Sequence, residues 1–358
     1  MRIETADPAT VLDELDRRLV CALQIDGRAD PGRIAEVLGV SVRTVTRRLA
    51  RLRGSGALRV VLMSRVEDQA VGALLLRVRV LRGRVAAIAD ALAARADIPF
   101  VDVMLGGEEV SAVALTDRSG RDRLLYGQLP GTGAVTETTV HAVLHAFSDA
   151  GQWRAGALTA AEAAALAGEP PAAEPSTLGP SVAGSSALGP SPVEPSPSEP
   201  SPAQPPPLDE LDRLLLRQLA EDARLPAATL AAACGAPEST VRRRLRRLDE
   251  GGLLRTHATI DPRLLGMAVD ANLWLEVPPA RLAEAGRALA GHPQVHGVLA
   301  TSGPANLMAA VFCADHEGLY RFTTEVLGPL GVHRVETAIV GRAVKRAGVR
   351  LPAPPARL

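Results

Sequence analysis

One segment occurs twice in this chain of 358 residues, and this internal repeat constrains the fold more than any other feature. Residues 12–60 and 208–256 align without a gap, and about 22 of the 49 aligned positions are identical. Both copies open on the sequence LDELD and continue into an arginine-rich stretch. The repeat therefore predicts two structurally equivalent halves rather than one large domain.

The overall charge gives no sign of a partner, because 40 basic residues balance 40 acidic ones. A signal for nucleic acid must therefore come from where the arginines cluster. The three cysteines (Cys21, Cys234 and Cys313) are far apart and form no metal-ligand pattern. We expect buried thiols in a reducing compartment, no metal and no cofactor.

Hydropathy predicts a cytoplasmic protein that does not contact a membrane. The first residues, MRIETADPATVLDELD, contain no apolar segment of the kind found in signal peptides. No apolar run approaches the length that a membrane-spanning helix needs.

A stretch of different composition, from Thr159 to Pro207, separates the two copies. It begins with an alanine-rich helical segment and then becomes rich in proline and serine. Proline fixes φ and removes a backbone donor, so this stretch predicts an extended linker, partly polyproline II. The predicted organisation is a first helix-turn-helix domain, a first effector domain, the linker, a second helix-turn-helix domain and a second effector domain, at residues 12–60, 70–146, 159–207, 208–256 and 268–346.

The repeated segment predicts three helices arranged as a helix-turn-helix. Leucines at three- and four-residue spacing, such as Leu15 and Leu19, place one apolar face on the first helix. A short second helix ends at Gly39 in the first copy and at Gly235 in the second, where glycine suits a tight turn. The third helix begins near Ser41, which is a favourable N-cap residue.

The third helix carries a basic face in both copies, as expected of a recognition helix in the DNA major groove. A solvated basic face on an ordinary helix is the alternative, but the same cluster recurs at matching positions after a glycine turn. The predicted DNA-binding residues are Ser41, Arg43, Thr44, Arg47, Arg48 and Arg51 in the first copy, and Ser239, Thr240, Arg242, Arg243, Arg244 and Arg247 in the second.

The two basic faces differ in sequence. Arg43 aligns with Ser239, Thr46 aligns with Arg242, and Pro237 takes the place of the predicted serine cap. Two unlike recognition helices imply two unlike half-sites, and we therefore hypothesise an operator that is only partly palindromic.

After each helix-turn-helix the period changes to that of strands and helices in β-α-β-β-α-β order. This order predicts an α+β, ferredoxin-like effector domain in each half, whose sheet edges pair with a second copy. The first half is expected to form strands at 73–81, 100–105, 110–115 and 134–140, and the second at 271–277, 295–300, 306–313 and 332–340.

This combination resembles the Lrp/AsnC family of bacterial regulators, and the resemblance occurs twice. It is carried by LDELD, by GVSVRTVTRRLARLRGSGAL and GAPESTVRRRLRRLDEGGLL, by TIDPRLLG, and by the segment from Pro293 to Val311. The resemblance implies winged-helix-like helix-turn-helix domains, each followed by a RAM-type effector domain. It also implies double-stranded DNA and an amino-acid effector as partners. One chain would then form an intrachain pseudo-dimer, with further assembly into a homo-oligomer left open.

The family resemblance also implies effector-binding turns of the form G-x-x-D. Carried onto this sequence, these turns contain Gly106 and Glu109 in the first half, and Gly303 and Asn306 in the second. Asn306 has no carboxylate to pair with an ammonium group, which puts amino-acid sensing by the second turn in doubt. The equal alternative is that both turns serve only as tight connections between strands.

Two other function classes fit the same fold. Some sirohaem decarboxylases resemble this two-domain arrangement, and an enzyme could use His141 and His145, or four histidines of the second half. Scattered histidines are more often structural, and we expect no enzymatic activity. A scaffold without DNA contacts is disfavoured by the arginine pairs of both copies. The four histidines of the second half are His292, His296, His316 and His333.

Overall fold

The computed structural model describes residues 11–62, 72–167 and 208–351. The proline-rich part of the predicted linker, residues 168–207, lies outside these ranges. Among the described residues, no helix has the length and apolar character needed to cross a membrane.

The first half contains six α-helices and five strands in the described ranges. Three helices and one strand form the first headpiece, residues 11–62, and the remainder forms a β-α-β-β-α-β unit that is followed by one more helix. The elements are α1 (Glu14–Ile25), α2 (Pro31–Leu38), α3 (Val42–Gly54), β1 (Leu58–Leu62), β2 (Ala73–Val80), α4 (Val85–Ala93), β3 (Phe100–Met104), β4 (Glu109–Leu115), α5 (Arg118–Asp122), β5 (Val135–Ser148) and α6 (Ala160–Ala167).

The second half repeats this order and ends on a short hairpin. Its headpiece comprises residues 208–260. The elements are α7 (Glu210–Glu221), α8 (Ala227–Cys234), α9 (Glu238–Glu250), β6 (Thr256–Ile260), β7 (Val269–Glu276), α10 (Leu282–Ala290), β8 (Val295–Thr301), β9 (Leu307–Cys313), α11 (His316–Arg321), β10 (Arg334–Arg346) and β11 (Val349–Arg350). The predicted α+β fold class, with two helix-turn-helix units and two ferredoxin-like units, is confirmed.

The repeated LDELD segment forms the start of the first helix in both headpieces. The side chain of Asp13 caps α1 by accepting a hydrogen bond from the Asp16 backbone N–H. Asp209 and Asp212 form a reciprocal capping box at α7. Two of the four unpaired N–H groups of a helix start can be satisfied in this way. The turn glycine after α2, Gly39, has a φ of 66°, as a left-handed C-cap requires.

Eight strands from both halves close into a single barrel. The strand order is β10-β3-β4-β2-β5-β8-β9-β7, and β7 pairs again with β10. Each half therefore supplies four neighbouring strands, and two seams join the halves, β5 to β8 and β10 to β3. Closure leaves no free edge among these eight strands, which is how the ferredoxin-like sheets avoid exposed edges.

Strands β5 and β10, which each take part in one seam, are longer than the sequence predicts. Residues 135–142 of β5 pair with β2 of the same half, whereas residues 143–148 pair with β8 of the other half. In the same way, residues 334–339 of β10 pair with β7 and residues 340–345 pair with β3. The predicted ends at 140 and 340 lie close to where each strand changes its partner.

The headpieces are joined by a ribbon and by two arginines. Strands β1 and β6 pair antiparallel with each other. Arg28 donates to the carbonyl oxygen of Ala223, and Arg224 donates to the carbonyl oxygens of Gly27 and Ala29, at 2.7 and 3.0 Å. These reciprocal contacts hold the two helix-turn-helix units against each other.

Residues 149–167 form a segment that we call the strap. It connects the first headpiece to the second half of the barrel. Trp153 donates its indole N–H to the Pro293 carbonyl oxygen and packs edge-on against Phe312. The strap ends in α6, which packs against α1 and α2 and buries Leu166 in the core of the first headpiece. The alanine-rich start of the predicted linker is therefore part of the packed structure.

Candidate nucleic-acid interface

The third helix of each headpiece is positioned by its apolar face. Val45, Leu49 and Leu52 of α3 are buried, as are the equivalent residues of α9. Burial of this stripe turns the opposite face toward solvent. Seven of the predicted arginines fall into two groups, which the structure separates by their contacts.

The first group is exposed and has no ion-pair partner in the described part of the chain. It consists of Arg43 and Arg47 on α3 and Arg243 on α9. Arg246, which was not among the predicted residues, is exposed in the same way. These guanidinium groups can contact phosphates or base edges without breaking an internal contact.

The second group forms ion pairs inside the headpieces. Arg48 pairs with Asp13 and Asp16, and Arg51 pairs with Asp16, whose side chain is only 2% exposed. The hydrogen bond from Arg48 lowers the pKa of the Asp13 carboxyl. These two arginines therefore fasten the recognition helix to α1.

The second headpiece repeats this arrangement. Arg244 pairs with Asp209, at 2.5 Å, and with Asp212, and Arg247 pairs with Asp212, whose side chain has no exposed surface. Both acids belong to LDELD, so the repeated motif and the two paired arginines of the basic face form one structural unit. The matched spacing between acids and arginines in the two copies was the sequence signal for this role.

The starts of the two recognition helices differ. Ser41 accepts a hydrogen bond from the Thr44 backbone N–H at 3.1 Å and lies 2.8 Å from the Thr44 hydroxyl. Pro237 provides no side-chain cap for α9. Glu238, the first residue of α9, was not predicted from the sequence, and it forms an ion pair with Arg242 at 2.5 Å. In the repeat, Glu238 occupies the position of Val42.

The first predicted effector turn places its acidic residue against an arginine of the barrel. Glu109 accepts hydrogen bonds from Arg77 at 2.8 and 3.2 Å, and Arg77 also donates to Glu336 of the other half at 2.6 Å. The Arg77 guanidinium lies 5.4 Å from the ring centre of Trp274. The Arg77 hydrogen bond lowers the pKa of Glu336. Arg77, Glu109 and Glu336 line a barrel-mouth cavity of about 140 Å³.

The second predicted turn uses its amide for a structural contact. The Asn306 side chain accepts from the Val277 N–H at 2.9 Å and donates to the Val277 carbonyl at 2.8 Å. Gly303 has a φ of 103°, and a Cβ there would lie 2.8 Å from Nδ1 of His141. The turn is thus fixed by its own half and by β5 of the other half.

The histidines considered for catalysis occupy different surroundings. His141 is buried, lies 2.8 Å from the Ser302 carbonyl oxygen and packs on Trp274. His296 stacks on Phe312 and lies 3.6 Å from Asp270. The other four histidines lie apart from His141 and His296. His292 packs edge-on against Phe322, and His145, His316 and His333 are exposed.

A buried charge network lies beside His296. Arg346 pairs with Asp102 of the first half and with Asp270 of the second. Burial raises the pKa of the Asp102 carboxyl to about 6, although Arg346 acts in the opposite direction. The network joins one seam of the barrel by charge as well as by strand pairing.

Comparison with known proteins matches both headpieces and the second barrel half. The model of the AsnC-type helix-turn-helix domain matches residues 12–53 and 208–249, and that of the Lrp/AsnC ligand binding domain matches residues 271–349. An uncharacterised HTH-type transcriptional regulator of Pyrococcus horikoshii is 33% identical over 143 residues, which are 39% of this chain and 90% of the relative. The regulator LrpA of the same organism is 29% identical over 140 residues, 38% of this chain and 99% of the relative.

A solved structure matches the chain over nearly its whole length. The crystal structure of the sirohaem decarboxylase NirDL has a TM-score of 0.55 at 13% identity and covers 93% of each chain. At this identity the likeness shows a shared fold, with both halves in the same arrangement, and nothing about chemistry.

Proposed function

The chain belongs to the Lrp/AsnC family of helix-turn-helix transcription regulators, and on this premise we propose that it binds a specific DNA site with both headpieces of one chain. The observation that carries the proposal is the pair of exposed basic faces on α3 and α9. Arg43, Arg47 and Arg243 project from these faces and have no ion-pair partner in the described ranges. Arginines in such positions bind phosphates or the edges of guanine.

The predicted residues would then have three roles. Arg43, Arg47, Arg242 and Arg243 contact DNA directly, with Thr44, Ser239 and Thr240 beside them. Ser41 fixes the start of α3. The arginines paired to LDELD hold the recognition helices in place and reach phosphates only through their remaining N–H groups; they are Arg48, Arg51, Arg244 and Arg247.

The operator of such a regulator would have two unlike half-sites. Val42 and Glu238 occupy equivalent first positions of α3 and α9, and residues near the start of a recognition helix contact base edges. An apolar side chain suits a thymine methyl group, whereas a carboxylate accepts from the cytosine amino group. Selection of binding sites from random DNA tests this idea, and a strictly symmetric consensus would contradict it.

We propose an amino acid or a related small molecule as the effector. The family's turn positions in this chain are Gly106 and Glu109, with Gly303 and Asn306 in the other half. A ligand ammonium would reach Glu109 only by displacing Arg77, and Asn306 would have to release Val277. Glu109→Gln tests the turn, because the neutral amide cannot pair with an ammonium group.

The test of DNA binding is an anisotropy titration on the DNA upstream of the protein's own gene, against scrambled DNA and at several salt concentrations. Arg47→Ala and Arg243→Ala should each weaken binding and reduce the salt slope by about 0.9 for every phosphate that the variant no longer neutralises. Arg287→Ala is the matched control, because Arg287 is an exposed arginine on α10 outside the headpieces. Equal, salt-insensitive binding to both DNAs would contradict the proposal.

An enzyme of the sirohaem decarboxylase type is the second candidate, and the full-length likeness of fold to NirDL is the observation in its favour. The barrel-mouth cavity of about 140 Å³ is smaller than the roughly 300–1,000 Å³ of typical small-molecule pockets. The absorption spectrum of the full chain with an added iron tetrapyrrole separates the two functions. A shifted, saturable band that His141→Ala or His296→Ala abolishes would favour the enzyme.

A further inference from the structure

A second cavity, of about 480 Å³, lies where the two headpieces meet the strap. It is distant in sequence from the effector turns, and no residue of those turns lines it. Its walls come from the ends of α1 and α9, from α2, from the start of β6 and from both ends of the strap. We call it the headpiece cavity. Its apolar lining consists of Ile25, Leu166, Ala167 and Leu254.

One side of the headpiece cavity is negative. The helices α1, α6 and α9 all end at it, and the unpaired carbonyl groups at a helix C-terminus carry a partial negative charge. Asp26 and Asp249 add two carboxylates, and neither forms an ion pair with a described residue. Partial burial and the charge of Asp26 raise the pKa of Asp249, although the nearby charge of Arg28 acts in the opposite direction. Acids at helix C-termini oppose the helix dipole, so a cation placed here would relieve two unfavourable interactions.

The other side carries three arginines together with Asp149, whose carboxylate accepts a hydrogen bond from the Gly151 backbone N–H at 2.9 Å. Among the described residues, Arg154 donates only to the backbone carbonyls of Gly151 and Trp153, at 2.6 and 2.9 Å. Arg33 donates to the Ala165 carbonyl, and Arg255 donates to the Gly252 carbonyl. None of these three arginines pairs with a carboxylate of the described chain, and burial lowers the pKa of Arg154. Guanidinium groups that are already fixed in direction form strong bidentate contacts with a carboxylate ligand.

We propose that the headpiece cavity binds a small zwitterion, with the ammonium group at Asp26 and Asp249 and the carboxylate at Arg154. Its side chain would contact the apolar lining. Charges of both signs stand without ion-pair partners around one cavity of the described chain, and a ligand with both signs satisfies them together. An ion of one sign would leave the other set uncompensated.

Such a ligand would act directly on the geometry of DNA binding. The cavity touches the end of the second recognition helix through Asp249, and it touches the first headpiece through Asp26 and Arg33. A bound zwitterion would therefore fix the distance between the two headpieces. The effect of the ligand on DNA binding rests on the proposed function, whereas the presence of the binding site does not.

The experiment measures ligand binding to the full chain without DNA. Each proteinogenic L-amino acid is titrated at up to millimolar concentration by calorimetry. For any that binds, the matched amine without the carboxylate and the matched acid without the amine follow. We expect at least one amino acid to bind and both single-charge analogues to bind about tenfold more weakly or worse.

Variants locate the site. Asp249→Asn and Arg154→Ala should each weaken binding by about 10- to 100-fold, the usual effect of removing a charge-assisted hydrogen bond. Asp249 makes no hydrogen bond with its side chain among the described residues, so its variant should fold normally, and an unchanged melting temperature checks this. Arg287→Ala should bind as the parent does.

Three results would overturn the inference: no amino acid binds, or binding survives both variants, or Glu109→Gln removes it instead. The last result would place the ligand at the first effector turn and leave the proposed function intact. The DNA titration without ligand tests that function separately.

Discussion

Arg243 and Arg244 are adjacent on α9, yet the structure gives them opposite surroundings. Arg244 is paired with the completely buried carboxylate of Asp212, whereas Arg243 is exposed and unpaired in the described chain. We therefore predict that Arg244→Ala destabilises the protein and that Arg243→Ala weakens DNA binding without a change in stability.

The magnitude follows from the burial of the two partners. Removing one partner of a fully buried ion pair costs about 3–5 kcal/mol, because the remaining charge stays desolvated. Here the Arg244 side chain is 23% exposed and Arg247 remains beside Asp212, so we expect about 2 kcal/mol. Removal of an exposed side chain such as Arg243 usually changes stability by less than about 0.5 kcal/mol.

Thermal unfolding followed by circular dichroism, together with DNA anisotropy, measures both effects on the same samples. We expect Arg244→Ala to lower the melting temperature by about 3 °C, given the unfolding entropy of a chain of this size. Arg243→Ala should leave it unchanged while reducing the salt slope of DNA binding by about 0.9. The reasoning is wrong if both variants melt alike, or if Arg244→Ala unfolds as the parent does. Arg47 and Arg48 provide the same comparison in the first headpiece.

Three further predictions concern the contacts between the halves. His257 should remove about 2 kcal/mol of stability as the pH falls from 6.5 toward 4, because burial lowers its pKa to about 4 and the unfolded state then binds the proton more tightly. The raised pKa of Asp102 acts in the opposite direction over this range, so the measurement is the difference between the parent and His257→Gln in urea unfolding. The same pH dependence in both proteins would refute the assignment. Gly286→Ala should cost about 1–3 kcal/mol, because a Cβ at that position would lie 2.3 Å from the ring of Phe147 in the other half. Phe147→Leu should recover much of that stability in the double variant, and additive effects would count against direct contact. Proteolytic cleavage within residues 168–207 should leave two fragments that elute together in gel filtration, because the halves share two strand seams. Separate elution would contradict this role of the seams.

Local and repeated features were predictable from the sequence. Alternation along β2 and the helical spacing in α1 specify elements whose buried faces lie within one half. The extra length of β5 and β10 could not be predicted in this way, because residues 143–148 and 340–345 pair with strands that lie far away in the chain. Only the closed barrel explains why those strands continue.

The candidate interface shows the same division. The basic faces were evident from periodicity, but their separation into exposed and paired arginines depends on where α1 and α7 lie. Arg47 and Arg48 are neighbours of one type, and the ion pairs of Arg48 with Asp13 and Asp16 distinguish them. Likewise, no local pattern revealed that Arg77 would form an ion pair with Glu109, since the contact joins two strands within the barrel.

The shared barrel also has a consequence for gene dosage. In a regulator assembled from two identical chains, the active form falls as the square of the chain concentration when few copies are present, because mass action governs assembly. In this chain the two seams are made within one molecule, so under the proposed function each chain would carry both headpieces of one DNA-binding unit. Occupancy of an operator by such a unit would fall only in direct proportion to copy number, even in a cell that holds a handful of molecules.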